Sequence, residues 1–302
     1  MPKRTMTISR LWFHEFRKPS MVQDLPLLPD GRDLIDVFEA HANLAKSSSL
    51  VRNRNETYAV VTNVDRDDRA LTVTFRSGRF GEDGEITDVG SGASRGTFRR
   101  TDATTVITHG VLLVPRSGTS ALAFTERSGG FGGMSHLVET FNEWFDGVFH
   151  DHRMKRDTVV QSDAWLKRAD LMKVTGTIRK HKSDIATDGQ DEVLGTLKHV
   201  IEPGGREKYF PRRLRDRLME NKINRNKFLA FDESDVVDEI DITLGDGDQE
   251  KTFEIDDEKT PTLRLVLTKS GESPLSAEKV KKRAMSEAAD IFAHYDVEWV
   301  SS

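Results

Sequence analysis

Thr105-Val-Ile-Thr-His-Gly-Val-Leu-Leu-Val-Pro-Arg-Ser-Gly-Thr-Ser-Ala-Leu-Ala-Phe-Thr125 is the stretch on which the fold turns. Thr105 to Val114 is a mostly apolar run interrupted at Thr108-His-Gly110, and Thr119 to Thr125 pairs naturally with it across Pro115-Arg-Ser-Gly118. An apolar run of strand length bounded by turn residues fits a strand covered on both faces, so this hairpin is expected at the core of a sheet. Ser128-Gly-Gly-Phe-Gly-Gly-Met-Ser135 then breaks the sheet. From Ser135 to Phe149, residues Leu137, Val138, Phe141, Trp144, Phe145, Val148 and Phe149 recur at threes and fours and form one wide apolar stripe. Such a stripe is a core face, or else a partner surface that would be sticky if left bare. Two strands, a Gly-rich turn and an amphipathic helix predict a sheet with a helix laid on one face, which is an α+β arrangement.

The flanking sequence extends the same pattern. Thr5 to Phe13 carries Met6, Ile8 and Trp12 at even spacing, the period of a half-buried first strand. Leu34, Ile35, Phe38, Ala42 and Ala45 mark a helix, with Asp30 or Asp33 as its N-cap. Glu56 to Val64 and Ala70 to Phe75 form a hairpin across Asp65-Arg-Asp-Asp-Arg69. Arg76 to Gly96 is rich in Gly, Ser and Asp; it reads as an exposed loop with a short strand at Glu85 to Val89. No helical pattern follows Gly96, which argues against a phosphate-cradling loop.

In the second half, Val159 to Gln161 and Leu171 to Ile178 look like strands. Asp191 to Ile201, with Val193, Leu194, Leu197, Val200 and Ile201, predicts a helix. Pro211 opens another helix that buries Leu214, Leu218 and Met219. Val236 to Leu244 alternates, turns at Gly245-Asp-Gly-Asp248 and returns through Thr252 to Ile255, a hairpin with an acidic solvent face. Leu263 to Leu267 adds a strand, Ser276 caps a helix through Phe292, and Val297 to Val300 predicts a short edge strand. The expected class is α+β, mainly antiparallel, with three to five packed helices. A change of composition suggests two lobes: residues 1–150, β-rich and ending in the aromatic helix, and residues 151–302, holding the basic helix, the acidic hairpin and the C-terminal helix.

Charge is sorted along the chain. From Asp151 to Phe231 there are 19 Lys and Arg against 12 Asp and Glu, whereas Asp232 to Glu258 holds 13 acids and Lys251 alone, a reversal hidden by the overall net charge of −5. Opposite blocks meeting at one junction create surfaces with opposite partner preferences if the fold keeps them apart. With 16 Phe and 4 Trp the chain can build a core despite a mean hydropathy of −0.54. The absence of Cys excludes disulfides, Cys-ligated zinc, iron–sulfur clusters and thiol nucleophiles. No apolar run approaches the roughly 20 residues of a membrane-spanning helix. The first ten residues lack the apolar core of a signal peptide. The expectation is a cytoplasmic protein with no membrane partner.

Catalytic and cofactor chemistry finds little footing. No Gly-x-Ser-x-Gly elbow, Gly-x-x-x-x-Gly-Lys-Ser/Thr loop or His-Glu-x-x-His motif occurs, so no cofactor is expected. His150-Asp-His152 could offer two imidazoles to a metal only if both lay on one strand; as an exposed helix end it would not. Asp246 and Asp248 lack the register of a Ca²⁺ loop, so no metal is assigned. Glu254-Ile-Asp-Asp-Glu-Lys259 has the residue types of a Mg²⁺-dependent nuclease, and equally those of an acidic hairpin beside a Lys.

The best-supported surface is basic. Arg206, Lys208, Arg212, Arg213, Arg215, Arg217, Lys222, Arg225 and Lys227 cluster in sequence, interleaved with Tyr209, Phe210, Asn221, Asn224 and Asn226. Guanidinium forks match phosphate oxygens, and the aromatic and amide groups add stacking and hydrogen bonding. These residues predict a non-catalytic nucleic-acid-binding protein. The alternative is an interaction or nucleic-acid-mimic protein, monomeric or a homo-oligomer, acting through Asp235, Asp238, Glu239, Asp241, Asp246 and Asp248. Geometry decides between them: an acidic hairpin folded over the basic helix would neutralise it.

Overall fold

A computed structural model describes the chain except residues 53–55, 130, 160–167, 184–191, 221, 232–236, 248–249, 256–262 and 300–302. The described residues contain fifteen strands and five α-helices, and the sheet is mainly antiparallel. The chain divides into two compact units, one of residues 1–159 with 267–302, the other of residues 160–266. The first unit therefore takes up the C-terminal helix, which composition alone had grouped with the second half. Among the described residues no helix is long and apolar enough to cross a membrane.

The first unit is built on the predicted central hairpin. Strand β8 (Thr104–Leu113) pairs with β9 (Ala121–Ser128) with Leu113 opposite Leu122. Around it the order is β10 (His152–Val159), β1 (Arg4–Glu15), β9, β8, β5 (Ala70–Arg79), β4 (Thr57–Asp67) and β3 (Leu50–Arg52), with β2 (Lys18–Val22) also on β1. The β4–β5 turn is tighter than expected: Asp67 opposes Ala70, and Asp68 takes the left-handed backbone (φ 47°) that short polar residues tolerate. Between Gly84 and Phe98 a separate ribbon, β6 (Gly84–Thr87) with β7 (Ser94–Phe98), occupies the predicted loop. Strand β10 begins at His152, so His150 and His152 share no strand face. Val297 to Trp299 forms no strand.

Helix α1 (Leu34–Leu44) and helix α2 (Gly133–Val148) cover one sheet face. Asp33 caps α1 by accepting from the Ile35 N–H, and its carboxylate also holds Arg69 at 2.6 Å. Arg69 donates further to the carbonyls of Val114 and Pro115, tying the α1 N-terminus to the central hairpin. The C-terminal helix α5 (Ala277–His294), capped by Ser276, packs on β5, β8 and β9. Both faces of the central strands are thus buried, which is why their sequence is continuous rather than alternating. Along the α2 stripe Leu137, Val138, Phe141 and Phe145 are buried, Trp144 and Phe149 are partly covered, and Val148 is exposed.

Phe141 stands at the centre of this layer, 4.7 Å from the Phe38 ring and 5.5 Å from Trp144. Phe141→Ala should cost about 3–5 kcal/mol, a fall in Tm on the order of 10 °C by thermal unfolding. A loss no larger than that of an exposed-site control such as Val148→Ala would show that the stripe is not core.

Candidate nucleic-acid interface

In the second unit the strand order is β12 (Glu192–Ile201), β11 (Asp170–Ser183), β13 (Glu239–Gly245), β14 (Glu250–Ile255) and β15 (Leu263–Thr268), the last leading back toward the first unit. The predicted helix over Asp191 to Ile201 is overturned, because Glu192 to Ile201 is strand β12, paired along β11. Its period is two: Leu197, His199 and Ile201 are half-buried while Thr196, Lys198 and Val200 are exposed. A histidine on the inner face and a valine on the outer one made that alternation look helical.

Register fixes which residues share a face. Gly176 on β11 lies opposite His199 on β12 and Ile240 on β13, and Ile240 lies opposite Ile255 on β14. This face is apolar and carries Val174, Ile178, Ile242, Leu244 and Phe253 as well. It is covered by the segment after the basic helices. A Cβ on Gly176 would come within 2.5 Å of the Phe231 ring and 2.7 Å of Leu229, so a side chain there would push the covering layer off. His199 stacks on Phe231 at 4.3 Å and donates through Nδ1 to the Leu229 carbonyl.

The basic residues belong to that layer. Helix α3 (Arg212–Met219) follows Pro211, as expected, and the short helix α4 (Arg225–Phe228) runs directly into Leu229 and Phe231. The Phe210 N–H bonds the Leu171 carbonyl, and Leu218 is buried, which sets α3 against β11. Leu214 and Leu218 point inward. One turn apart on a neighbouring side of the helix, Arg213 and Arg217 are exposed, as are Arg206, Lys208, Arg212, Lys222 and Lys227.

Part of this charge is already engaged. Arg212 Nε lies 2.7 Å from the Asp170 carboxylate, whose hydrogen bond and charge raise the guanidinium pKa still further. Arg215 is half-buried; it bonds the Ala169 carbonyl and pairs with Asp216 at 2.7 Å. Lys222 pairs with Glu220 at 2.7 Å, and Lys208 lies over the Tyr209 ring. Among the described residues, no carboxylate stands within ion-pair distance of Arg206, Arg213, Arg217 or Lys227. The side chain of Arg225, like Asn221, lies outside the described residues.

The acidic residues point elsewhere. Glu239, Asp241, Glu250 and Glu254 occupy the strand positions that alternate with the buried Ile240, Ile242, Phe253 and Ile255, so they line the opposite face from the helices. That face is not purely acidic: Arg264 reaches Glu254 at 3.5 Å, and Lys198 lies in the same cross-strand row as Glu239. Asp238 is exposed at the start of β13, where its N–H bonds the Thr177 carbonyl, and Asp246 is in the hairpin turn. Asp235, Asp248 and the 256–259 carboxylates lie outside the described residues. No three His, Asp or Glu side chains gather into a metal-holding group among the described residues. The chain matches no family model and no curated protein sequence.

Proposed function

We propose that this is a non-catalytic nucleic-acid-binding protein whose basic α3–α4 surface contacts the phosphate backbone. The supporting observation is the opposition of charge within the second unit: the helices stand on the apolar side of the sheet, and Glu239, Asp241, Glu250 and Glu254 on the other side. These four carboxylates of β13 and β14 therefore stand away from the cluster. Arg213 and Arg217 present two guanidinium forks one helical turn apart, with Arg206 and Lys227 on the flanking segments, and such forks bind phosphate oxygens in pairs. Exposed contacts of this kind read the backbone rather than the bases. The interaction is then electrostatic and sequence-tolerant. Affinity for single- or double-stranded nucleic acid, measured by fluorescence anisotropy, should fall about tenfold or more between roughly 50 and 200 mM salt. Binding that is flat across that range, or absent at the low end, removes the proposal.

A further inference from the structure

In the first unit, alternation along β5 places Thr72, Thr74, Arg76 and Gly78 on one face of the sheet. The start of α5 faces Thr72 and Thr74, and Arg76 beyond them is exposed. There a cavity of about 840 Å³ opens, within the roughly 300–1,000 Å³ of small-ligand sites. Its base is a cross-strand row: Val51 on β3 lies opposite Tyr58 on β4, Tyr58 opposite Gly78 on β5, and Gly78 opposite Thr105 on β8. Its wall comes from the chain on either side of the β6–β7 ribbon. The Phe80 N–H bonds the Glu56 carbonyl at 3.1 Å and the Gly81 N–H bonds the Arg100 carbonyl at 2.8 Å, which sets Phe80, Glu56 and Arg100 around the same space.

Three kinds of group in this cavity lack partners among the described residues. The Arg76 and Arg100 guanidinium groups are exposed, with no carboxylate in ion-pair distance and no hydrogen bond. The half-buried rings of Tyr58 and Phe80 have no other ring stacked on them. Ser49 donates to the Tyr58 hydroxyl at 3.3 Å. Of the two acids lining the cavity, Asp102 accepts from the Arg99 N–H at 2.9 Å, whereas the Glu56 carboxylate has no hydrogen bond or ion pair. That carboxylate rests against Gly81, where φ is 108° and a Cβ would come within 2.6 Å of it. Each group selects a different part of a ligand. Guanidinium forks bind phosphoryl oxygens, aromatic rings stack on a flat base, and a free carboxylate accepts from sugar hydroxyls while repelling a phosphate.

We propose that this cavity binds one unpaired nucleotide, with its base against Tyr58 and Phe80, its phosphate at Arg76 and Arg100, and its ribose hydroxyls at Glu56. A mononucleotide and a nucleotide of a single strand offer the same chemistry. A base inside a duplex does not, because both its faces are already stacked. The site shares no residue with α3 or α4, so it stands independently of the function proposed above.

AMP is the probe, read by NMR of the full chain with ¹³C-labelled tyrosine, which gives three ring signals, Tyr58, Tyr209 and Tyr295. Tyr58 should shift saturably as the base stacks on it, while Tyr295, with the Arg10 guanidinium 4.3 Å from its ring centre, should stay unmoved. Tyr209, beside Lys208, reports the α3–α4 surface separately. Arg76→Gln with Arg100→Gln should weaken the Tyr58 response at least tenfold, whereas Arg213→Gln with Arg217→Gln should leave it intact. Adenosine, which lacks the phosphate, and ribose 5-phosphate, which lacks the base, should each compete with AMP at least tenfold less well. A single-stranded oligonucleotide that moves Tyr58 at a lower nucleotide concentration than AMP, where its duplex does not, makes the strand the source; AMP acting at the lower concentration makes it the free nucleotide. No Tyr58 shift at ~10 mM AMP, enough to fill about nine-tenths of a millimolar site, overturns the proposal. So does a response undiminished by the Arg76 and Arg100 replacements, one abolished by those at Arg213 and Arg217, or adenosine or ribose 5-phosphate binding as well as AMP.

Discussion

Glu126→Ala is expected to lower the unfolding free energy by about 3–5 kcal/mol, the largest stability loss from any single charge in the first unit. Glu126 is fully buried on β9, and three donors converge on it. Arg4 Nη1 reaches Oε1 at 2.9 Å, while the His109 backbone N–H and ring Nδ1 reach Oε2 at 2.8 and 2.7 Å. Removing the carboxylate leaves a guanidinium that is 5% exposed without its counter-charge and a buried N–H without an acceptor. The contrast is Asp36, whose pairing with Arg66 at 2.6 Å is at the surface; Asp36→Ala should cost less than about 1 kcal/mol. Urea unfolding of both variants separates the two cases, and equal losses would mean that the Arg4–Glu126–His109 group is not the buried network described. Glu126→Gln, which keeps an acceptor but drops the charge, should fall between them.

That network explains what local sequence could and could not reveal. Helix α1, the β4–β5 and β8–β9 hairpins, helix α2, the β13–β14 hairpin and helix α5 follow from spacing and turn residues, because the period, caps and turns that define each of them lie within about twenty residues of chain. Glu126 sits inside an apparently ordinary strand end, and only its pairing across β1 and β8 makes it a buried charge. Strand β12 escaped the sequence for a related reason: its inner position at His199 is polar by composition and is half-covered through stacking on Phe231. The reversal of charge near residue 231 was visible in sequence, but its meaning depended on register. Alternation along β13 assigns Glu239 and Asp241 to one face, and the close approach at Gly176 assigns the helices to the other.

This separation sets the size of the remaining effect. Replacing Arg206, Arg213, Arg217 and Lys227 together by Gln removes four cations that have no carboxylate partner among the described residues. If each neutralises one phosphate, the slope of log affinity against log salt should flatten by about 3 to 4, and affinity near 50 mM salt should drop roughly 100-fold or more. The four side chains are exposed, so stability should change by only about 0.5 kcal/mol per site, and near-identical urea curves would show that charge, not folding, was lost. The reciprocal set is equally informative. Glu239→Gln with Asp241→Gln lies across the sheet from the interface, so it should leave the slope unchanged and alter affinity less than about threefold, through the general field alone. A steep slope retained after the four basic replacements would move the interface off α3 and α4. An effect of the acidic pair as large as that of the basic set would mean that the two charged surfaces act as one, against the opposition of faces on which the proposed function rests.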